Sequence, residues 1–166
     1  MAPLDDIRKT IESAFSGVKL DGGISLEQAR VIDNYGEGFT EQEFNKLPEN
    51  EITDDWMAVP DSALEPDPCV AHYDAKGLRY YLPRLMLSVL ADYDNASMRV
   101  IGTLSALYPK PDSWEYHMNR YSELSREQMH AVALFVSSLP NLIELDREDR
   151  IIMERALEKY WREYLE

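Results

Sequence analysis

Cysteine is nearly absent from this chain. A single residue, Cys69, among 166 excludes an internal disulfide, which suits a reducing compartment and makes the cytoplasm the expected location. Histidine is scarce too. A tetrahedral zinc site built from Cys69, His72, His117 and His130 would use every cysteine and histidine in the chain, with only Cys69 and His72 closely spaced, so no metal or other cofactor is expected. There is no apolar run of the roughly 20 residues that a membrane-spanning helix needs. The opening residues, MAPLDDIRK, place acids where a signal peptide carries bases, so neither export nor a membrane anchor is expected. Bases are in short supply where acids are plentiful. Residues 1 to 76 hold 17 acids and 6 bases, a net of -11, whereas the remainder holds 14 acids and 11 bases, a net of -3.

Glu37 to Asp67 carries ten acids against one base, Lys46. Such a stretch repels phosphate backbones, so direct nucleic-acid binding is not expected, and it attracts a basic protein. From that stretch Glu49, Glu51, Asp54, Asp55 and Asp61 are the candidate partner-binding residues. A solvated face that only keeps the protein in solution is the plainer alternative.

The apolar pattern is helical. Leu78, Tyr81, Leu82, Leu85, Met86, Val89, Leu90 and Tyr93 recur at one-face spacing through GLRYYLPRLMLSVLADY, the expected central helix, with Asp74 as its cap and a break or kink expected at Leu82-Pro83. Leu4, Ile7, Ile11, Ala14 and Phe15 mark a first helix that Gly17 helps to end. Ser25 is placed to cap a second. Thr40 with Glu43, and Ser125 with Gln128, have the spacing of capping boxes. Residues 48 to 70 contain four prolines and predict an irregular segment pinned by Trp56, Met57 and Val59. Residues 96 to 108 read as helix or strand. Arg126 to Leu139 is a helix, and Asp146 is expected to cap a last one whose broad apolar face ends in Tyr160, Trp161, Tyr164 and Leu165, with Glu158 and Arg162 as a surface ion pair. The expectation is a mainly α, single-domain orthogonal helical bundle over residues 1 to 166 with an irregular, proline-rich acidic segment.

Trp56 with the proline-rich stretch behind it, then GLRYYLP and LMLSVL, then LSREQMHAVALFVSSL, and finally ALEKYW resemble an uncharacterised bacterial family known only as a domain of unknown function. The resemblance covers the chain from about Trp56 onward, and YYLP and ALEKYW are its more specific marks. It implies a mostly helical bacterial domain and brings no catalytic residue or cofactor with it.

Motifs for chemistry are sparse. Gly102-Thr103-Leu104-Ser105 lacks the second glycine of a nucleophile elbow, and Cys69 lies among acids that disfavour its thiolate. Glu127-x-x-His130 matches one half of a di-iron helical site, with no second copy. Gly22-Gly23 before Ser25 could offer backbone donors to an anion, but no P-loop lysine follows and a plain turn explains it. The function expected is therefore non-enzymatic protein binding, in its sharpest form a bacterial inhibitor or immunity-type protein whose acidic half covers a basic partner; oligomeric state is left open. The alternative is a small hydrolase or metal-dependent enzyme using His72, His117 or His130.

Overall fold

The computed structural model describes residues 3–95 and 97–166. Among them are nine α-helices and no strand: α1 (Pro3–Ala14), α2 (Leu26–Asp33), α3 (Glu41–Lys46), α4 (Asp61–Leu64), α5 (Ala75–Asp92), α6 (Ser97–Ala106), α7 (Trp114–Tyr121), α8 (Arg126–Leu142) and α9 (Arg147–Lys159). Short 3-10 turns fill several of the connections and end the chain at Trp161–Leu165. Among the described residues no helix is long and apolar enough to cross a membrane.

α5 is the pivot. Leu78, Tyr81, Leu82, Leu85, Met86 and Val89 are all buried in one continuous apolar core, and the helix packs against α1, α6 and α7. Its start is fixed by Asp74, whose Oδ1 accepts the Gly77 amide at 2.8 Å and the Ile24 amide at 2.9 Å. One carboxylate thus caps α5 and ties down the turn before α2. That contact demands glycine, since a Cβ on Gly23 would lie 2.7 Å from the Gly77 nitrogen and one on Gly77 2.6 Å from the Ile24 carbonyl oxygen. Gly22-Gly23 is therefore a packing turn against α5.

Local signals place the helix starts well. Ser25 with Gln28, Thr40 with Glu43, and Ser125 with Gln128 each form a complete capping box. The chain bends back after α1 through Gly17 at φ 76, a left-handed conformation that glycine adopts freely. Residues 97 to 106 are helix rather than strand, and Ser97 is the first residue of α6; Ala96, which begins the stretch read as helix or strand, lies outside the described residues.

Several expectations are corrected. The break expected as one outcome at Leu82-Pro83 is absent, since α5 continues as helix through Pro83, which is itself buried. A proline inside a helix removes one backbone bond, and here the flanking Tyr81, Leu82, Leu85 and Met86 stay in the core only if the helix continues. α8 likewise passes through Pro140 to Leu142. α9 stops at Lys159, because Tyr160 leaves helical geometry (φ -143, ψ -58) and turns Trp161 inward. Glu158 and Arg162 then sit on either side of that break, and among the described residues no ion pair joins them. Asp146 precedes α9 without a side-chain capping bond; its amide instead donates to Tyr93 Oη at 2.9 Å.

Candidate functional site

The acid-rich stretch follows α2 and leans on the core through a few specific bonds. The Trp56 indole donates to the Phe15 carbonyl at 2.8 Å, Tyr80 Oη to the Ile52 carbonyl at 2.7 Å, and Gln28 Nε2 to the Phe44 carbonyl at 3.1 Å. The Leu20 amide donates to the Thr53 carbonyl at 2.8 Å. Irregular backbone is thereby held in place. Trp56 and Val59 are buried as expected, whereas Met57 points to solvent and pins nothing. Phe44 and Leu47 are half-buried.

α2 ends in a left-handed turn made by Tyr35 (φ 58) and Gly36 (φ 74), with the Gly36 amide donating to the Val31 carbonyl at 2.8 Å. Left-handed backbone is uncommon for a bulky residue. Tyr35 adopts it while 97% exposed as a residue, and Phe39 (44%), Ile52 (40%) and Met57 (55%) are the other large apolar residues exposed here.

The acids of the stretch divide into two sets. Asp61 pairs with Arg84 and, at 3.2 Å, with Arg99, while Glu65 meets Arg99 at 2.8 Å. Arg99 is buried, so these two carboxylates hold α4 and the loop after it against α6. Asp55 accepts the Met57 amide at 3.1 Å, Asp67 the Cys69 amide at 2.8 Å, and Glu51 the Glu27 amide at 3.1 Å. Glu43 closes the α3 capping box. The other set, Glu37, Glu41, Glu49 and Asp54, is exposed and enters no ion pair or side-chain hydrogen bond among the described residues. Of the five acids singled out from sequence, Glu49 and Asp54 are therefore free, and Glu51, Asp55 and Asp61 have tasks within the fold. Counting charges along the chain could not show this, since Arg84 and Arg99 come from α5 and α6.

Two of the histidines and the cysteine share a cleft, and the third histidine does not. Cys69, His72 and His117 line one cleft of about 360 Å³ between the Val70–His72 turn, α6 and α7. His130 lies elsewhere, its Nδ1 2.7 Å from the Tyr164 carbonyl oxygen. Among the described residues no three His, Cys, Asp or Glu side chains come together as metal ligands. Within the cleft His72 Nε2 is 2.9 Å from Asp33 Oδ1. Arg120 forms the buried wall, donating to the Tyr73 carbonyl at 3.1 Å, to the Val70 carbonyl, and to Tyr116 Oη at 2.8 Å. Burial, then the carboxylates of Asp67 and Asp33, push the Cys69 thiol up to about 11. A thiol kept protonated near neutrality is a poor nucleophile.

His117 is buried beneath the cleft, and its Nδ1 has no hydrogen-bond partner. Burial, then the Arg120 guanidinium, lower its pKa from the ordinary 6.5, against the Ala106 carbonyl, which raises it. The folded protein thus favours the neutral ring more than the unfolded chain does, so the stability linked to this group is complete above the unfolded value and is lost as pH falls through the lowered folded value. His117→Gln is expected to flatten the decline in Tm as pH falls below about 6.5. Calorimetric melts at stepped pH check this, and a variant curve parallel to the parent's would take His117 out of the pH dependence.

Comparison with known proteins adds the family. The model of a family described as a family of unknown function (DUF6714) matches residues 3–165, which takes in the first 50 residues along with the YYLP and ALEKYW elements. No curated protein and no solved structure matches the chain.

Proposed function

The chain belongs to the family of unknown function DUF6714, and from its own surface we propose that it is a non-enzymatic protein-binding domain, an inhibitor or immunity-type protein of the bacterial cytoplasm whose acid-rich N-terminal half docks a basic protein partner. One observation carries this reading. The chain around the four exposed acids Glu37, Glu41, Glu49 and Asp54, whose carboxylates bond to nothing among the described residues, also turns Tyr35, Phe39, Ile52 and Met57 to solvent. A face that served only for solubility would carry the charges without the apolar side chains. Tyrosine is among the residues that most often anchor protein interfaces, and surrounding charges speed and orient the encounter. The excess of acid over base in residues 1 to 76 sets the sign of the partner and disfavours nucleic acid.

The structure also decides how to test the reading without damaging the fold. Glu51, Asp55 and Asp61 are left alone because they bond within the molecule. Reversal of Glu37, Glu41, Glu49 and Asp54 to lysine is expected to change stability by no more than about 0.5 kcal/mol per site. Affinity for the protein that co-purifies with the chain from its native cell is expected to fall at least about tenfold, near 1.4 kcal/mol in total. Isothermal titration of the parent and the reversed protein against that partner reads the affinity, and thermal melts of the two proteins read the stability. Equal affinities would leave the acids as a solubility face.

A further inference from the structure

The cleft between the Val70–His72 turn, α6 and α7 holds two cations without a counter-charge. Arg120 is 3% exposed and lines it. Its bonds go to the Tyr73 and Val70 carbonyls and to Tyr116 Oη, none of which carries a full charge. Lys110 is exposed at the same cleft, its Nζ 5.8 Å from the centroid of the Tyr108 ring. Among the described residues no carboxylate forms an ion pair with either. Buried arginine is seldom left so, and this chain has acids to spare, 31 against 17 bases. The acids of the cleft itself are engaged elsewhere, Asp33 Oδ1 with His72 Nε2 at 2.9 Å and Asp67 Oδ1 with the Cys69 amide at 2.8 Å. Besides burial, the largest cause, Arg120 and Lys110 both lower the His117 pKa, so their fields meet beneath the cleft.

The two ends of the cleft differ. At one end Lys110 and Ser113 stand together, since the Ser113 amide donates to the Lys110 carbonyl at 3.1 Å. The Ser113 hydroxyl makes no capping bond to α7 and is not sealed from solvent. Toward the other end Met98 (42%) and Ile101 (54%) are exposed on α6 in the same lining. At 1.5 Å per residue, Ile101 lies about 7 to 8 Å along the helix from its end at Ala106. A molecule spanning both ends must be charged at one and apolar at the other.

Beyond the docking of a protein partner, we propose that this cleft binds a small monocarboxylic acid, its carboxylate on Lys110 Nζ and the Ser113 hydroxyl and its short apolar body along Ile101 and Met98. Arg120 contributes its field rather than a bond, since charges act further through a protein wall than through water. One negative charge is the fit. Asp33 and Asp67 share the lining and repel a dianion such as phosphate more strongly. The volume of about 360 Å³ is at the lower end for small-molecule sites, which keeps the apolar body short.

Hexanoate, titrated into isotopically labelled full-length protein and followed by NMR, tests this beside 1-hexanol, the same stem without the charge, and hexylamine, with the opposite charge. Hexanoate is expected to shift the Ile101, Gly102 and Ala106 amide signals saturably and to bind at least about fivefold more tightly than hexanol, with hexylamine weakest. Lys110→Gln should remove the preference for hexanoate over hexanol. Ser105→Trp, at an exposed position in the cleft wall, should block both, and circular dichroism confirms that each variant is folded. Equal affinities for hexanoate and hexanol, a preference that survives Lys110→Gln, binding that survives Ser105→Trp, or tighter binding of inorganic phosphate or hexylamine would each overturn the proposal. None of Glu37, Glu41, Glu49 and Asp54 lines the cleft, so its failure would leave the docking surface standing.

Discussion

Trp161→Ala is expected to lower stability by about 3 to 5 kcal/mol, the largest effect of any single truncation considered for this chain. Trp161 is fully buried, and its indole N–H donates to the Leu107 carbonyl at 2.7 Å. Around it stand Tyr160 at 4.9 Å, Tyr121 at 5.1 Å and Tyr164 at 6.0 Å between ring centroids. Alanine would remove the apolar area, open a cavity among three tyrosines and leave the Leu107 carbonyl without its donor. The final turn would lose its anchor as well, since Trp161–Leu165 packs on α8 and α9. Urea denaturation followed by far-ultraviolet circular dichroism reads the loss. A midpoint within error of the parent's would mean that the C-terminal turn does not seal the core.

Leu85→Ala comes next, at about 2 to 5 kcal/mol. Leu85 is fully buried two residues beyond Pro83, on the helix against which α1, α6 and α7 pack. Its loss leaves a cavity that several helices would have to shift to fill, and core side chains relax only partly around such a gap. For a domain of this size the melting temperature should drop by roughly 4 to 20 °C. Val89→Ala, one turn further on and also fully buried, should go the same way with a smaller loss. Melts within a degree of the parent for both variants would displace α5 from the centre of the fold.

How far the fold could be read from sequence depended on whether a signal was local. The boxes at Thr40 and Glu43 and at Ser125 and Gln128 needed only residues three apart and form as expected, and the Ser25 cap forms too, with Gln28 completing a box there. The stripe of α5 was equally legible because one face of a helix repeats every three to four residues. Pro83 does not break α5, for a tertiary reason, since burial on both sides of the proline outweighs one lost backbone bond. Tyr160 ends α9 with no proline or glycine to announce it, and the cause is the docking of Trp161 on Leu107, a contact spanning 54 residues.

The candidate surface was legible in its charge and not in its detail. Asp61 and Glu65 look like any other loop acids until Arg99 reaches them from α6. Tyr35 gave no signal beyond the glycine after it, yet its backbone leaves the ring in solvent. Arg120 joins the cleft wall through Val70, a contact spanning 50 residues, and no local pattern links the two. Cys69-x-x-His72 was visible as a spacing, but only the fold brings His117 to the same cleft and sends His130 away.

The central claim is that the acidic half of the chain meets a basic protein, and the association rate constant with the co-purifying partner, measured by stopped flow at two salt concentrations, tests it most directly. Screening shortens the reach of exposed charges from about 30 Å at 0.01 M salt to about 8 Å at 0.15 M. The account predicts a rate that falls steeply between those conditions, with a much shallower fall after Glu37, Glu41, Glu49 and Asp54 are reversed. A rate indifferent to salt, or a salt dependence that the reversal leaves intact, would contradict it.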